Sequence, residues 1–547
     1  MDVLNIIRYA RNSFYSKINN SKQKEDFSAP KTCSFSFDLI KRYFKKNNHK
    51  DSFQVITDRT NNDLDLDEIF KFIDRTSSKV GQQFLYNRFR VLKNDIDNKY
   101  EEENILNNIR KDKSQLRVLL SKLNNDDAYY ISSLFQDELL VRPSWYFIIL
   151  ILSITSLISL TLLPFFPKLI FLLIGLLVIN VGIHYWNKKN LIINSISIPQ
   201  VLILNNVAKE LYKFNHLRCI DPLLRDSLKA IDKIRKQLIL NLFSSKLQND
   251  IYLIFWLVVE LFKTLFLLEP ILLFSILGKI DTHKSDIERV FNFAGKVDAL
   301  CSISDLRSST DKYSVPTISD NYNQFDAKNI YHPLIENCVT NSVSISNRSI
   351  LLTGSNMSGK TSFIRTIGIN YILGQTINTC FAESIAFPNM ILHTSIRISD
   401  DLLNEKSYYL EEVLTIKEMM TDESNNYGNL YLLDELLKGT NTIERIAASK
   451  SILSYLNNYK NIVFAATHDI ELTDMLKDEY DLFHFSEIVK NDKIEFDYKL
   501  KNGKLTSRNA IRILELYGFP IGVINESYSI ANELSNAIST QKLNFFI

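Results

Sequence analysis

Residues 350–368 read ILLTGSNMSGKTSFIRTIG, and the rest of the chain is organised around them. An apolar run, Ile350 to Leu352, ends at Thr353, a glycine-containing loop spans 354–359, and Lys360, Thr361 and Ser362 open a helical pattern. The spacing fits G-x-x-x-x-G-K-[ST]. Glycines let backbone N–H groups curl around phosphate oxygens, and the positive end of a helix dipole adds to the attraction. In that geometry Lys360 reaches the β and γ phosphates of a nucleotide and the Thr361 hydroxyl ligates Mg2+. A strand before and a helix after separate this pattern from a chance Gly/Ser turn.

With 547 residues the chain exceeds one ordinary core, so several domains are expected. Lys and Arg total 64 against 62 Asp and Glu, a formal charge of +2, and bulk charge therefore selects no partner. Cys33, Cys219, Cys301, Cys338 and Cys380 are far apart, with no C-x-x-C and no histidine at ligand spacing. They read as reduced, mostly buried thiols of a cytosol-facing protein. The first twenty residues lack an apolar signal core, so membrane engagement is expected from inside the chain.

Residues 1–60 are polar and carry KRYFKKNNHK, where Lys41, Arg42, Lys45, Lys46 and Lys50 form either a solvated helix face or a patch for anionic lipid or nucleic acid. Over 61–140 the apolar spacing turns helical at Leu66, Ile69, Phe70, Phe72 and Ile73, and Thr76 or Ser77 is placed to cap the next helix. A charge-free run of nineteen residues follows at Trp145–Leu163, then PFFPK, then eighteen residues at Leu169–Trp186 whose only ionisable group is His184. Each arm is roughly 27 to 29 Å long as a helix, the thickness of bilayer hydrocarbon. Trp145, Tyr146, Tyr185 and Trp186 lie at one end of the pair with Arg142, Lys188 and Lys189 just outside, as a transmembrane hairpin over 141–189 with both ends in the cytoplasm requires. The alternative is a buried helical hairpin of a large core.

Helical spacing resumes over 190–315. Within it Ile251–Leu277 is apolar but contains Glu260, Lys263, Glu269 and Pro270. A single crossing there would move the phosphate loop to the far side of the membrane, and two crossings need about forty residues, so the segment reads as a core or membrane-surface helix packed on the hairpin. A polar linker is expected from Ser308 to about Asn329.

Residues 316–547 hold the remaining chemistry. NLYLLDELLKGTNT (429–442) is a short apolar strand ending in Asp434, suited to Mg2+, and Glu435, suited to polarising an attacking water. IVFAATHD (462–469) ends another strand at Thr467 and His468, a histidine fitted either to sense a γ-phosphate or to serve as a structural strand end. In ISDDLLNEKSYYLEEVLTI (398–416), Ser407 is placed as a helix cap, which can be an ordinary cap or a hydroxyl offered to phosphate.

TGSNMSGKTS, SDDLLNEKSYYLEEV, LLDELLKGTNT, FAATHD and SRNAIRILELYGFP, in this order, closely resemble the ATPase domain of the MutS mismatch-repair proteins, a branch of the ABC-type ATPases. YHPLIEN (331–337) is similar to the strand leading into that family's nucleotide site, and DEIFKFIDRTSSKVGQQFLYNRFR and KVDALCSISDL to the ends of its helical core. The fold this implies is multidomain: an α-helical core and lever region interrupted by the transmembrane hairpin, then an α/β P-loop ATPase. The resemblance also implies a homodimer with two composite ATP and Mg2+ sites. Gly354, Asn356, Met357, Gly359, Lys360, Thr361 and Ser362 match the phosphate loop, Thr361 and Asp434 the magnesium residues, Glu435 the catalytic carboxylate and His468 the switch histidine. Ser407 matches a serine that reaches the partner's γ-phosphate, although Glu405 replaces a glycine usual before it.

The family's mismatch-recognition domain is expected to be absent, since only about sixty residues precede the core-like segment. No aromatic near Cys338 and Val339 is evident to stack on adenine. The resulting expectation is a membrane-anchored ATPase of the cytoplasmic membrane, with its N-terminal and ATPase domains in the cytoplasm, that binds DNA in mismatch-repair-related transactions through ATP-driven dimer closure. The alternative is a membrane-remodelling or transport-associated mechanochemical ATPase that does not bind DNA.

Overall fold

Between Phe70 and Lys79 the chain turns from one helix into the next, and the polar run Asp74 to Ser78 carries the turn. Ser78, extended at φ −129°, accepts the Gly81 amide through its hydroxyl and caps the second helix, so the cap is one residue beyond the expected Thr76 or Ser77. Thr76 instead bonds back to Asp74 at 2.6 Å, and the Ser77 hydroxyl accepts from Arg117 at 2.7 Å. The computed structural model in which these contacts are seen describes residues 31–545 apart from 32–34, 51, 95, 140–141, 247–252, 356, 398–407, 422–426, 459, 491–492 and 506–509.

The helical region contains α1 (Lys79–Arg90), α2 (Tyr146–Leu162), α3 (Leu169–Leu211), α4 (Leu253–Leu265), α5 (Leu268–Thr282) and α6 (Lys284–Ser309) among its helices. Helix α6 is the spine: every residue from Val297 to Arg307 is buried. Its Asp298, with no exposed surface, accepts the Ser77 amide at 2.9 Å, the Ser78 amide at 2.8 Å and the Ser78 hydroxyl at 2.5 Å. A carboxylate from the last helix thus neutralises the free amides at the start of α1, although burial raises its pKa.

The basic residues near position 45 are largely engaged within the molecule. Lys41 pairs with Asp67 at 2.6 Å, and Arg42 and Lys46 both pair with Asp137. Cys301 and Cys380 are buried, Cys338 is half-buried and Cys219 is exposed, all as free thiols.

Helices α2 and α3 lie side by side as an apolar hairpin, with the Trp145 and Trp186 rings 5.0 Å apart at its base. Ile151, Ile154 and Ile158 of α2 and Phe171, Ile174 and Val178 of α3 are exposed. Among the described residues one helical stretch, Leu169–Trp186, is long and apolar enough to cross a membrane, and α2 falls short at 17 residues. The segment expected to form one helix over 251–277 is two, α4 and α5, bent by 67° at Leu265–Leu268. Leu267 makes that bend in the left-handed region, at φ 48°.

The C-terminal region is built on two larger sheets and a two-stranded ladder of Glu487–Lys490 with Lys493–Phe496. Residues expected to form a linker contribute Thr317–Ser319 and Gln324–Ile330 to a four-stranded sheet with Asn341–Ser346 and Ser384–Pro388. Only Phe325, Ala327 and Ile330 of the seven-residue strand point into the core, and this short alternation among polar neighbours conceals a strand in a sequence. The main sheet comprises β1 (Ser349–Thr353), β2 (Met390–Ser395), β3 (Gly428–Asp434), β4 (Ile462–Thr467), β5 (Tyr480–His484) and β6 (Lys501–Asn502), in the order β6-β5-β1-β4-β3-β2. All neighbours are parallel except β5 and β6. Register aligns Thr353 with Thr467 and Asp434 with Ala466. Three strands therefore end together, at the carboxyl edge where open α/β sheets bind ligands. Helices α7 (Lys360–Ile377), α8 (Tyr408–Thr421) and α9 (Thr442–Leu456) complete this region.

Asp298→Ala is expected to lower stability by about 2–4 kcal/mol, because it strands buried donors at the start of α1. The fall in the urea midpoint measures it, and an unchanged midpoint would show that the Ser77–Ser78 turn forms without this carboxylate.

Candidate functional site

Strand β1 is buried along its whole length, so the chain must turn sharply to reach the surface. Gly354 makes the turn at φ 148°, where an added Cβ would stand 2.6 Å from the Ser358 Oγ and 2.7 Å from the Phe485 carbonyl oxygen. Gly359, also left-handed, precedes the first residue of α7. The Ser358 hydroxyl donates to the Ser355 carbonyl at 2.7 Å, and Ser355 donates to Glu487 at 3.0 Å, which braces the loop from both sides.

Lys360 folds back into the concavity. Its ammonium donates to the carbonyls of Gly354 at 2.6 Å and Ser355 at 2.8 Å and lies 3.5 Å from His468 Nε2. Burial lowers its pKa to about 8, against the opposing pull of Asp434 and Glu435. The Thr361 hydroxyl donates to Asp434 Oδ2. Asp434 Oδ1 is buried without a hydrogen-bond partner, and burial, with the charge of Glu435, raises the Asp434 pKa. An unpartnered carboxylate oxygen beside a threonine hydroxyl is the donor set a hard divalent cation takes.

Glu435 is held at φ 55° while its amide donates to the Ala466 carbonyl at 2.9 Å. Its carboxylate lies 2.6 Å from His468 Nε2 and 2.7 Å from Lys438. Burial pushes its pKa up, but the hydrogen bonds from His468 and Lys438 outweigh that and bring it to about 2. Glu435 is therefore an anionic acceptor at neutral pH. Met357 and Ser362 are exposed at the rim, whereas Asn356, Glu405 and Ser407 lie outside the described residues. The fold thus brings Lys360, Thr361, Asp434, Glu435 and His468 to one carboxyl edge.

Several supporting residues have no distinctive spacing in the sequence. Arg445 grips Asp469 with two bonds, at 2.9 and 2.7 Å, and so holds the loop that carries His468. Glu412 on α8, almost wholly buried, accepts the amide of the left-handed Leu437. A cavity of about 510 Å3 opens beside Gly359 and Thr361, lined by Tyr331, Val339, Met357, Phe363 and Tyr498 among others. Tyr498 supplies an aromatic that the segment around Cys338 lacks: its ring lies 3.2 Å from where a Cβ on Gly359 would stand. The alternation Phe496, Tyr498 was its one signal, at a distance of well over a hundred residues from the loop it covers.

Residues 350–535 match the family model described as MutS domain V. This C-terminal part of the chain is similar to the MutS family. A DNA mismatch repair protein MutS from Petrotoga mobilis is 32% identical over 284 residues, 49% of this chain and 34% of that protein. One from Listeria monocytogenes is 30% identical over 270 residues, 46% of this chain and 31% of that protein. The DNA mismatch repair protein MSH3 of Meyerozyma guilliermondii is 27% identical over 292 residues, 49% and 30% of the two chains. This chain therefore spans about a third of the length of the curated relatives it matches. The MutS likeness covers the site described above: Lys360, Thr361, Asp434, Glu435 and His468 all fall within the matched residues.

Gly354→Ala is expected to cost about 1–3 kcal/mol through strain in the loop. Thermal unfolding checks it against Gly522→Ala, whose added methyl in a helix meets nothing within 4 Å and should leave the midpoint unchanged or slightly raised.

Proposed function

We propose that this chain is a Mg2+-dependent, ATP-hydrolysing protein that acts on DNA in repair-related transactions by closing as a homodimer through its ATPase domains. The observation that carries the reading is the Thr361–Asp434 pair, with its unpartnered buried oxygen, beside Lys360. Lys360, released from the Gly354 and Ser355 carbonyls, binds the β and γ phosphates, and the amides of the loop and of the first turn of α7 surround the remaining oxygens. Thr361 and Asp434 would hold Mg2+, which would supply positive charge to the phosphates. Tyr498 and Val339 flank the base. Glu435 orients and polarises the attacking water once its carboxylate parts from His468 or Lys438, and His468 turns toward the γ-phosphate. By family likeness, Ser407 of one subunit completes the site of the other. Glu412, joined to the loop after Glu435, ties the helix that follows Ser407 to the state of the nucleotide.

The apolar hairpin of α2 and α3 anchors the protein in the cytoplasmic membrane in this reading, with the N-terminal and ATPase domains on the cytoplasmic side. Exposed isoleucine, valine and phenylalanine along both helices, ended by a tryptophan pair, support it. A membrane-bound mechanochemical ATPase that does not bind DNA would share this anchor, so DNA binding is what separates the two readings.

Glu435→Gln is expected to bind ATP and to slow turnover by roughly 100-fold or more, as loss of a general base does. Retention of labelled ATP alongside phosphate release measures both, and unchanged turnover would remove Glu435 from this role. Detergent-solubilised protein is expected to bind duplex DNA with an affinity that falls steeply as salt rises. If neither homoduplex nor mismatched DNA binds at low salt, with or without ATP, the DNA reading gives way to the mechanochemical one.

A further inference from the structure

Beyond the hairpin, and resting on its reading as membrane-embedded, we propose that the α4–α5 elbow enters the bilayer as a re-entrant half-span, with lipid hydrocarbon against its outer face. Four observations converge on this.

The first is where the backbone of the bend finds its hydrogen bonds. A helix that ends leaves its last carbonyls without intrahelical partners, and in water the solvent satisfies them. Here the hairpin does. Asn180 of α3 donates to the Leu265 carbonyl at 2.7 Å, and Ser153 of α2 donates to the Phe266 carbonyl at 2.7 Å. Asn180 is fully buried, as is Ser156, to which it also donates at 3.4 Å. Irregular backbone is tolerated at membrane depth only when protein groups satisfy it in this way.

The second is depth. The Trp145 and Trp186 rings mark the aromatic level of the hairpin. Asn180 lies six residues from Trp186 and Ser153 eight from Trp145, so the bend reaches about 9 to 12 Å along the hairpin from that level. This is a partial crossing.

The third concerns the charges that make this segment a poor spanning helix. Lys263 lies 3.5 Å from Glu260 and 3.3 Å from Glu269, while the two nitrogens of His184 lie 3.3 Å from Glu260 and 3.6 Å from Glu269. Two basic groups face two carboxylates, His184 and Lys263 both less than a tenth exposed. His184 is two residues from Trp186, so the cluster sits about 3 Å from the aromatic level and leaves the bend itself apolar.

The fourth is what remains outside. Leu261, Phe262 and Leu268 are each 41–50% exposed beside the bend, adding to the apolar surface of the hairpin. A re-entrant path also removes the difficulty of length, since the chain returns to the side it left and the ATPase domain stays with the rest of the helical region.

The test uses the full chain in phosphatidylcholine–phosphatidylglycerol vesicles. Phe262→Cys and Leu268→Cys, each labelled with bimane, are read against Ile158→Cys on the hairpin and Tyr100→Cys on the exposed helical region, with the unsubstituted chain labelled in parallel as background. Nitroxides on the lipid acyl chains are expected to quench most of the emission at 262, 268 and 158, and iodide in the water to quench it at 100. If 158 is quenched from the lipid while 262 and 268 are quenched by iodide, the half-span is overturned and the hairpin stands. If 158 is also quenched by iodide, the membrane reading fails and the half-span with it. Asn180→Leu, which withdraws the donor from the Leu265 carbonyl, is expected to shift the label at 262 toward iodide. Unchanged lipid quenching in that variant would overturn the role given to the hairpin donors.

Discussion

Helix α7 is the constraint on which both halves of the molecule depend. Its first residue is Lys360, which follows the glycine loop, and all of its residues but Thr361, Ser362 and Arg365 are buried. At the far end the helical region supplies its counter-charge: Arg88 donates to the Thr376 carbonyl at 2.6 Å and Arg307 to the Asn378 carbonyl at 2.7 Å. Cationic groups at a helix C-terminus complement the dipole whose other end opens onto the glycine loop. The two arginines are themselves held by Glu102 and Glu103. A strut of about 27 Å therefore joins the candidate site to α1 and α6.

The edge of the main sheet is tied to the same helical region. Strand β2 would present unpaired backbone groups there, a liability in any open sheet. The Gln54 side chain occupies that position, donating to the Leu392 carbonyl at 2.8 Å and accepting its amide at 2.9 Å. Asp63 accepts the amides of Ile396 and Arg397 just beyond, and Arg397 pairs with Asp65. Residues 54–65 thus close the sheet and anchor the chain immediately before the segment that contains Ser407. The glycine loop thus has two connections into the helices, one through α7 and one through this edge.

Much of the candidate site is legible in the sequence because its chemistry is local. A buried strand, a glycine turn and a helix start within twenty residues define the loop around Lys360 and Thr361. The apolar runs ending in Asp434 and in His468 announce two further strand ends. What spacing could not supply was their meeting, which depends on strand order and on register aligning Asp434 with Ala466 and Thr353 with Thr467. Tyr498, Arg445 and Glu412 were invisible for the same reason: each acts on a loop far from it in sequence. The strand Gln324–Ile330 looks like a linker in sequence because its three inward residues among polar ones resemble a loop until a neighbouring strand pairs with them.

The charged residues of 251–277 show the division most clearly. By itself the sequence determined that the segment is apolar, that it is too short to cross twice, and that Glu260, Lys263 and Glu269 are costly in an apolar setting. Only the tertiary structure decided that His184, more than seventy residues away, joins them, and that Asn180 and Ser153 meet the carbonyls of the bend. Sequence carries the cost of a buried charge or an unpaired carbonyl at its own position. The partner that offsets the cost is supplied by packing, because electrostatics and hydrogen bonding depend on distance in space.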